Sequence, residues 1–126
     1  MMATQLFNWD EYLTLAKSLS TNADEASHRS AISRAYYFAF HAATIKAKLG
    51  GYTDRTHSRL WFFYQRQTDR NARRISTLGN QMQTAREEAD YVASVADVSK
   101  LMESQLTTAS QFAAVLALVP VGSVNP

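Results

Sequence analysis

Between Arg29 and Leu49 the chain reads RSAISRAYYFAFHAATIKAKL, a run free of Pro and Gly in which alanines and aromatic rings recur at helical intervals. Alanine is the strongest helix former and Gly50-Gly51 supplies a stop, so the pattern predicts a long central helix ending near Leu49. At about 100° per residue, Arg34, Tyr37, His41, Ile45 and Lys48 fall along one stripe with Phe38 beside it. Ala35, Ala39, Ala42 and Ala43 allow neighbouring helices to approach closely. A cation and an imidazole thus share a face with aromatics. The helical rise sets the Arg34 and His41 backbones roughly 10 Å apart, with the Tyr37 ring between them.

On either side the pattern predicts further helices. Trp9, Tyr12, Leu13, Ala16 and Leu19 define a first helix from Trp9 to Ser20, with Asn8 as cap, Glu11 completing a capping box and Phe7 stapled to Tyr12. Asn22 with Glu25 opens the central helix, whose polar first turns leave His28 exposed. Thr53 or Asp54 caps a third helix through HSRLWFFYQRQ, carried by Leu60, Trp61, Phe63 and Tyr64. Thr68 to Arg74 lacks apolar periodicity and reads as an exposed, mobile, basic connection. A shorter fourth helix follows from Ile75 to Arg86, with Ile75, Leu78, Met82 and Ala85 on one side and Gly79 weakening its middle. From Val95, a long amphipathic helix runs to Pro120 with Leu101, Leu106, Phe112 and Leu116 inward. With no strand-like alternation and no repeat, the expectation is an all-α, up-and-down bundle of four or five helices, one domain over 1–126 with flexible tails at 1–6 and 121–126.

Composition narrows the function classes. The absence of cysteine removes disulfides and thiolate metal sites and favours a cytoplasmic protein, and three histidines argue against a structural zinc site. No apolar run is long enough to span a bilayer, so no membrane partner is expected. The net charge of +2 is small but uneven. Between Asp54 and Arg74 the arginines 55, 59, 66, 70, 73 and 74 face only Asp54 and Asp69, whereas acidic residues prevail beyond Ile75. Guanidinium groups fork phosphate and stack on bases, so Arg70, Arg73 and Arg74 are candidate RNA or phosphate contacts; the plain alternative is a solvated face meeting the acidic half of the chain. The rings at Trp61, Phe62, Phe63 and Tyr64 exceed what one face of a short helix buries, which points to a homodimer interface.

Three segments, RSAISRAYYFAFHAA, THSRL and AREEADY, occur in an order that resembles the small HEPN-domain proteins of bacteria and archaea, and the resemblance covers most of the chain. It implies a helical bundle that dimerises, a place in toxin-antitoxin, phage-defence or CRISPR-linked gene sets, and, in active members, metal-independent RNA cleavage by an Arg and a His. It also implies an antitoxin or a nucleotidyltransferase as protein partner. Arg86 matches the arginine that leads the later helix, while Tyr91 stands where the resemblance puts the histidine. A phenol near ~10 does not exchange protons at neutral pH as an imidazole near ~6.5 does, so no catalytic histidine carries over to 91.

The candidate chemistry therefore rests on His41 as base, with Arg34 or Arg86 as phosphate clamp and Tyr37, Asp90 and Tyr91 in support. With no acid-rich helix face and no histidine pair at ligand spacing, neither a metal nor another cofactor is expected. Two readings stay open. One is an RNA-directed module, in its active form a metal-independent endoribonuclease. The other is a catalytically silent helical partner in which Arg34, Tyr37, His41, Asp90 and Tyr91 form a buried polar network. His57, near a helix start, reads as a capping or surface residue.

Overall fold

The computed structural model describes residues 6–120. Five helices follow one another: α1 (Asp10–Ser20), α2 (Glu25–Leu49), α3 (His57–Gln65), α4 (Arg70–Tyr91) and α5 (Val98–Leu118). Among the described residues there is no strand, so the architecture is an all-α bundle. The expected tails at 1–6 and 121–126 lie outside the described residues except for Leu6, which is exposed.

α2 is the axis of the bundle and packs against α1, α4 and α5, while α3 lies mainly on α4. Its closeness to three helices has a simple cause. Ala31, Ala35, Ala39, Ala43 and Ala47 recur every fourth residue and are all fully buried, forming a strip without side-chain bulk into which neighbours settle. The helix starts at Asp24 rather than Asn22: the Asp24 carboxylate accepts the Ser27 N–H at 2.9 Å. Asn22 instead offers its carbonyl to His28 Nε2 at 2.6 Å, and His28 is buried, contrary to its polar setting in the sequence. α1 has the expected length, with Phe7 edge-on to Tyr12 at 5.6 Å, but the expected cap and capping box are corrected: Trp9 takes the cap position without a side-chain hydrogen bond, and Asn8 Oδ1, one residue earlier, accepts the Asp10 N–H.

α4 departs most from the sequence pattern. Of the segment 68–74 only Thr68 and Asp69 belong to the connection and the rest is helix: Asp69 caps it by accepting the Ala72 N–H at 2.9 Å, and Arg70, Arg73 and Arg74 stand exposed in the first turns. The buried stripe runs through Ala72, Ile75, Ser76, Leu78, Gly79, Met82, Ala85 and Ala89, where small residues alternate with the large apolar ones a helix signal normally carries. Gly79 is required there, because a Cβ at this position would overlap the Trp61 indole packed against it. The helix continues past Arg86 to Tyr91, where Arg29 of α2 donates to the carbonyls of Ala89 (3.0 Å), Val92 (2.6 Å) and Ala93 (3.2 Å). A guanidinium on the negative end of a helix satisfies carbonyls that have no partner within it. Lys46 does the same for α5 by donating to the Leu116 carbonyl.

α3 also begins later than expected, at His57, with Asp54 accepting from the Thr56 N–H and hydroxyl rather than capping directly. Of its four consecutive rings, Trp61, Phe63 and Tyr64 are buried and only Phe62 is exposed, so the supposed aromatic surplus shrinks to one residue. Tyr64 donates to the Ala43 carbonyl at 2.6 Å. In α5 the buried face is Val98, Met102, Gln105, Ala109, Phe112, Val115 and Leu116, whereas Leu101 and Leu106 are half-buried. The start at Val98 rather than Val95 is set by Asp97, which accepts the Lys100 N–H from a left-handed backbone (φ 47°).

This face assignment is testable. Phe112 is fully buried, with its ring 6.0 Å from that of Trp61. Phe112→Ala is expected to cost about 3–5 kcal/mol, as aromatic truncations in close-packed cores do, whereas Leu106→Ala should cost clearly less. Urea unfolding of the two variants checks the order.

Candidate functional site around Tyr37

Tyr37 of α2 is the hub to which the charged and titratable side chains converge. Arg34, one turn earlier, places its guanidinium carbon 5.5 Å from the Tyr37 ring centroid and 4.9 Å from that of Tyr12. Arg86 of α4 comes from the opposite helix, with its guanidinium carbon 5.2 Å from the Tyr37 centroid and Nη2 donating to the Tyr37 hydroxyl. His41 lies one turn on, 6.4 Å ring to ring, and His57 at the start of α3 stands edge-on at 6.0 Å. Two guanidinium groups and two imidazoles thus lie within 6.4 Å of one phenol ring.

The α2–α4 contact sets this geometry through three polar rungs. Arg29 reaches residues 89–93, Ser33 donates to Asp90 at 3.3 Å, and Tyr37 meets Arg86. Positions advance along α2 as they retreat along α4, the register of an antiparallel pair. Asp90 Oδ2 sits 3.2 Å from Arg86 Nε, yet this N–H finds no well-aligned acceptor, so the pair is held by charge more than by a hydrogen bond. Burial works against the Arg86 cation, but the Tyr37 hydrogen bond and the nearby Tyr91 and Asp90 outweigh it, and the guanidinium stays firmly charged. Tyr91 is itself largely exposed, with the Arg86 carbon 5.4 Å from its ring centroid.

The histidines occupy different settings. His41 stacks on the Trp9 indole at 3.5 Å, nearly parallel, which joins α1 to the site. Burial first, then the charges of His57 and Lys48, hold its pKa below the ordinary imidazole value. His57 stacks on Phe40 at 3.8 Å, and its Nδ1 lies 2.6 Å from the Tyr36 hydroxyl. Burial pushes the Tyr36 phenol far above its usual range, against the pull of Trp61 and Arg86, so it keeps its proton and donates to Nδ1. Burial and the Arg86 charge, with Glu87 opposing, hold His57 low as well.

The sequence pattern brought Arg34, Tyr37 and His41 together on one stripe, and Arg86, Asp90 and Tyr91 close on the same region in space. His57 and Tyr36 were missed. His57 looked like a local cap because α3 was read from its own periodicity, although the THSRL segment carried it and Tyr36 is adjacent to Tyr37. Arg70, Arg73 and Arg74 lie elsewhere. Along an ideal helix they precede Arg86 by roughly 18–24 Å and turn roughly 120–220° away from it, so they belong to another face of α4. Among the described residues none of the three makes an ion pair, so the acidic half of the chain does not neutralise them.

Among the described residues no three His, Asp or Glu side chains gather as a metal site, and no helix is long and apolar enough to cross a membrane. The chain matches no family model, no curated protein and no solved structure.

The depressed imidazoles fix the sign of a pH effect. The unfolded chain takes up protons at these rings more readily than the folded one, so the stability they contribute is complete above about pH 6.5 and declines as pH falls toward their folded-state values. The carboxylates of Asp24 and Asp54, held low by hydrogen bonds from Ser27 and Thr56, lose their contribution only at more acid pH. The melting temperature is expected to drop between about pH 7 and pH 5, and His57→Asn should flatten that drop in a calorimetric series.

Proposed function

We propose that this chain is an RNA-directed, HEPN-like module of a toxin-antitoxin or defence system that acts on the phosphodiester at Tyr37. The observation that carries this reading is the convergence of two guanidinium groups and two low-pKa imidazoles on one phenol. That set contains what metal-independent RNA cleavage needs. A neutral imidazole, His41, takes the 2′-hydroxyl proton as the 2′-oxygen bonds to phosphorus. His57, protonated at both nitrogens once the Tyr36 hydroxyl turns to accept from Nδ1–H, delivers its Nε2 proton to the departing 5′-oxygen as the P–O5′ bond breaks. Arg86, with Arg34 beside it, balances the charge of the phosphorane. The products are a 2′,3′-cyclic phosphate and a free 5′-hydroxyl. Arg70, Arg73 and Arg74 serve as sequence-independent phosphate contacts on the far side of α4.

The test is incubation of the purified chain with structured RNA in EDTA. Cleavage should fall by at least about a hundredfold in His41→Ala and in His57→Ala while RNA affinity changes little, since proton carriers act on the transition state more than on ground-state binding. With both imidazoles depressed, the base stays neutral to lower pH and the acid loses its proton sooner, so the rate optimum is expected below about pH 6.5. Replacing Arg70, Arg73 and Arg74 together should weaken RNA binding and reduce its salt slope. A wild type without EDTA-resistant cleavage overturns the nuclease reading.

One observation favours the alternative of a catalytically silent partner, docking on a nucleotidyltransferase or an antitoxin. The Arg86 side chain is only 16% exposed and already engaged by Tyr37 and Asp90, as a purely structural network would have it. Under that reading His41→Ala lowers the melting temperature and there is no cleavage to lose. Either way a homodimer is part of the proposal. Its support has moved from the α3 rings to the groove between α2 and α5, lined by Phe38, Ala42 and Leu116 and flanked by exposed Ile45, Leu49 and Leu118. Sedimentation at micromolar concentration should give a species of twice the 14.1 kDa chain, and Ile45→Lys should return it to one.

A further inference from the structure

The loop after α2 and the outward face of α3 enclose a cavity of about 450 Å³, the size of a small-molecule site and separate from the Tyr37 cluster. Arg59, Phe62, Phe63 and Arg66 share one side of α3 at helical spacing, while Leu60, Trp61 and Tyr64 turn into the core. Phe63 packs against Tyr52 at 4.7 Å ring to ring and gives the cavity an apolar floor. Beside it stands Phe62, 56% exposed on a helix whose other three aromatic rings are buried. Hydrocarbon and charge thus meet on one small concave surface.

The charges there do not cancel. Arg59 and Arg66 share the lining with a single carboxylate, Asp54. Asp54 Oδ2 lies 3.6 Å from Arg59 Nε, and Oδ1 accepts the Thr56 N–H and hydroxyl, so both of its oxygens are taken. The Thr56 hydrogen bonds hold the Asp54 carboxyl below its usual range and keep it ionised. The Tyr52 hydroxyl is buried without a hydrogen-bond partner among the described residues; burial and the Asp54 charge, with Arg59 opposing, keep it protonated, so it adds no second negative charge. Arg66 has no ion pair among the described residues. Its guanidinium carbon lies 5.6 Å from the Phe62 centroid. A guanidinium laid over a ring spends its flat face there and keeps its N–H edge for an acceptor. With Arg59 matched to Asp54, one cation is left over, held in place by an aromatic ring at the rim of an apolar hollow.

We propose that this cavity binds a small aromatic monocarboxylic acid, its carboxylate forked by Arg66 and its ring seated against Phe63 and Phe62. The edge of a guanidinium meets a carboxylate through two parallel hydrogen bonds, a geometry that the point charge of lysine does not reproduce. One surplus cation answers one carboxylate. A second negative charge on the ligand would be carried toward Asp54, and a neutral ligand would leave Arg66 unanswered. The site is independent of the chemistry at Tyr37 and stands whether or not that cluster cleaves RNA.

Calorimetric titration of the full chain with indole-3-acetate tests this. Binding is expected to weaken about tenfold or more in Arg66→Ala and to recover only in part in Arg66→Lys, which restores the charge without the fork. Phe62→Ala should weaken it about threefold or more, by removing the ring that holds both the guanidinium and the ligand. These are surface changes whose folding circular dichroism verifies. Lys17→Ala, which removes an exposed cation from α1, a helix without contact to α3, should leave binding unchanged. Indole-3-acetamide keeps the ring without the charge and acetate keeps the charge without the ring, so each should bind about tenfold or more weakly than indole-3-acetate. No detectable binding of indole-3-acetate at about millimolar concentration overturns the proposal. So does equal binding of the acid and its amide, which marks an apolar hollow without recognition, or equal binding of acetate and indole-3-acetate, which marks an undirected anion patch. Binding indifferent to Arg66→Ala overturns it as well.

Discussion

The antiparallel register of α2 against α4 is the constraint on which the candidate site depends. Arg29, Ser33 and Tyr37 step along α2 one turn at a time and meet, in reverse order, residues 89–93, Asp90 and Arg86. To slide α4 by one turn, roughly 5.4 Å, all three contacts would have to break together, leaving charged donors and helix-end carbonyls without partners in a partly buried seam. Such groups are costly to strand. The seam therefore does more than hold two helices together. It delivers the Arg86 guanidinium to the Tyr37 hydroxyl at a fixed height, and the electrostatics of the cluster follow from that height.

The remaining helices act on the cluster by covering it. α1 contributes Trp9, which lies flat on His41, and Tyr12, which faces Arg34. α3 contributes His57, sandwiched between Phe40 and the Tyr36 hydroxyl. Each imidazole is thus screened on one ring face by an aromatic neighbour, and the desolvation this causes lowers both pKa values. The alanine strip of α2 makes the covering feasible, since helices seated close to its axis can bring their rings over its polar stripe.

How much of this was legible in the chain differs by element. α1 and α5 announce themselves through large apolar residues at helical spacing, and α2 through a long run of alanines and rings free of Pro and Gly, so that their existence and approximate ends could be read directly. α4 could not be read over its full length, because outside Ile75, Leu78 and Met82 its buried face is built from Ala72, Ser76, Gly79, Ala85 and Ala89, residues whose burial reflects close approach and not hydrophobic bulk. Its capping aspartate was visible, but between it and Ile75 only Ala72 interrupts the polar residues, and the helix behind the cap was concealed. The inward face of α5 was read in outline: Phe112 and Leu116 are buried as the pattern has it, Leu101 and Leu106 are half-buried against the core, and the buried Gln105 between them carries no apolar signal. At the site, residues on one helix could be grouped by period alone. His57 could not, since its place beside Tyr36 depends on how α3 is docked, which periodicity does not encode.

The contact between Gly79 and the Trp61 indole carries a consequence for sequences that share this fold. Position 79 has no room for a side chain while position 61 holds a bicyclic ring, and that ring is also tethered, its N–H donating to Gln83 Oε1 at 2.9 Å, one turn along α4. The pair is therefore a lock and key divided between two helices, and substitutions at either half are bound to travel together. A relative with alanine or serine at 79 must carry a smaller residue at 61 and has no reason to retain the glutamine at 83. Those three positions read jointly would mark descent with this particular docking of α3, even where the rest of the helix pattern has drifted beyond recognition.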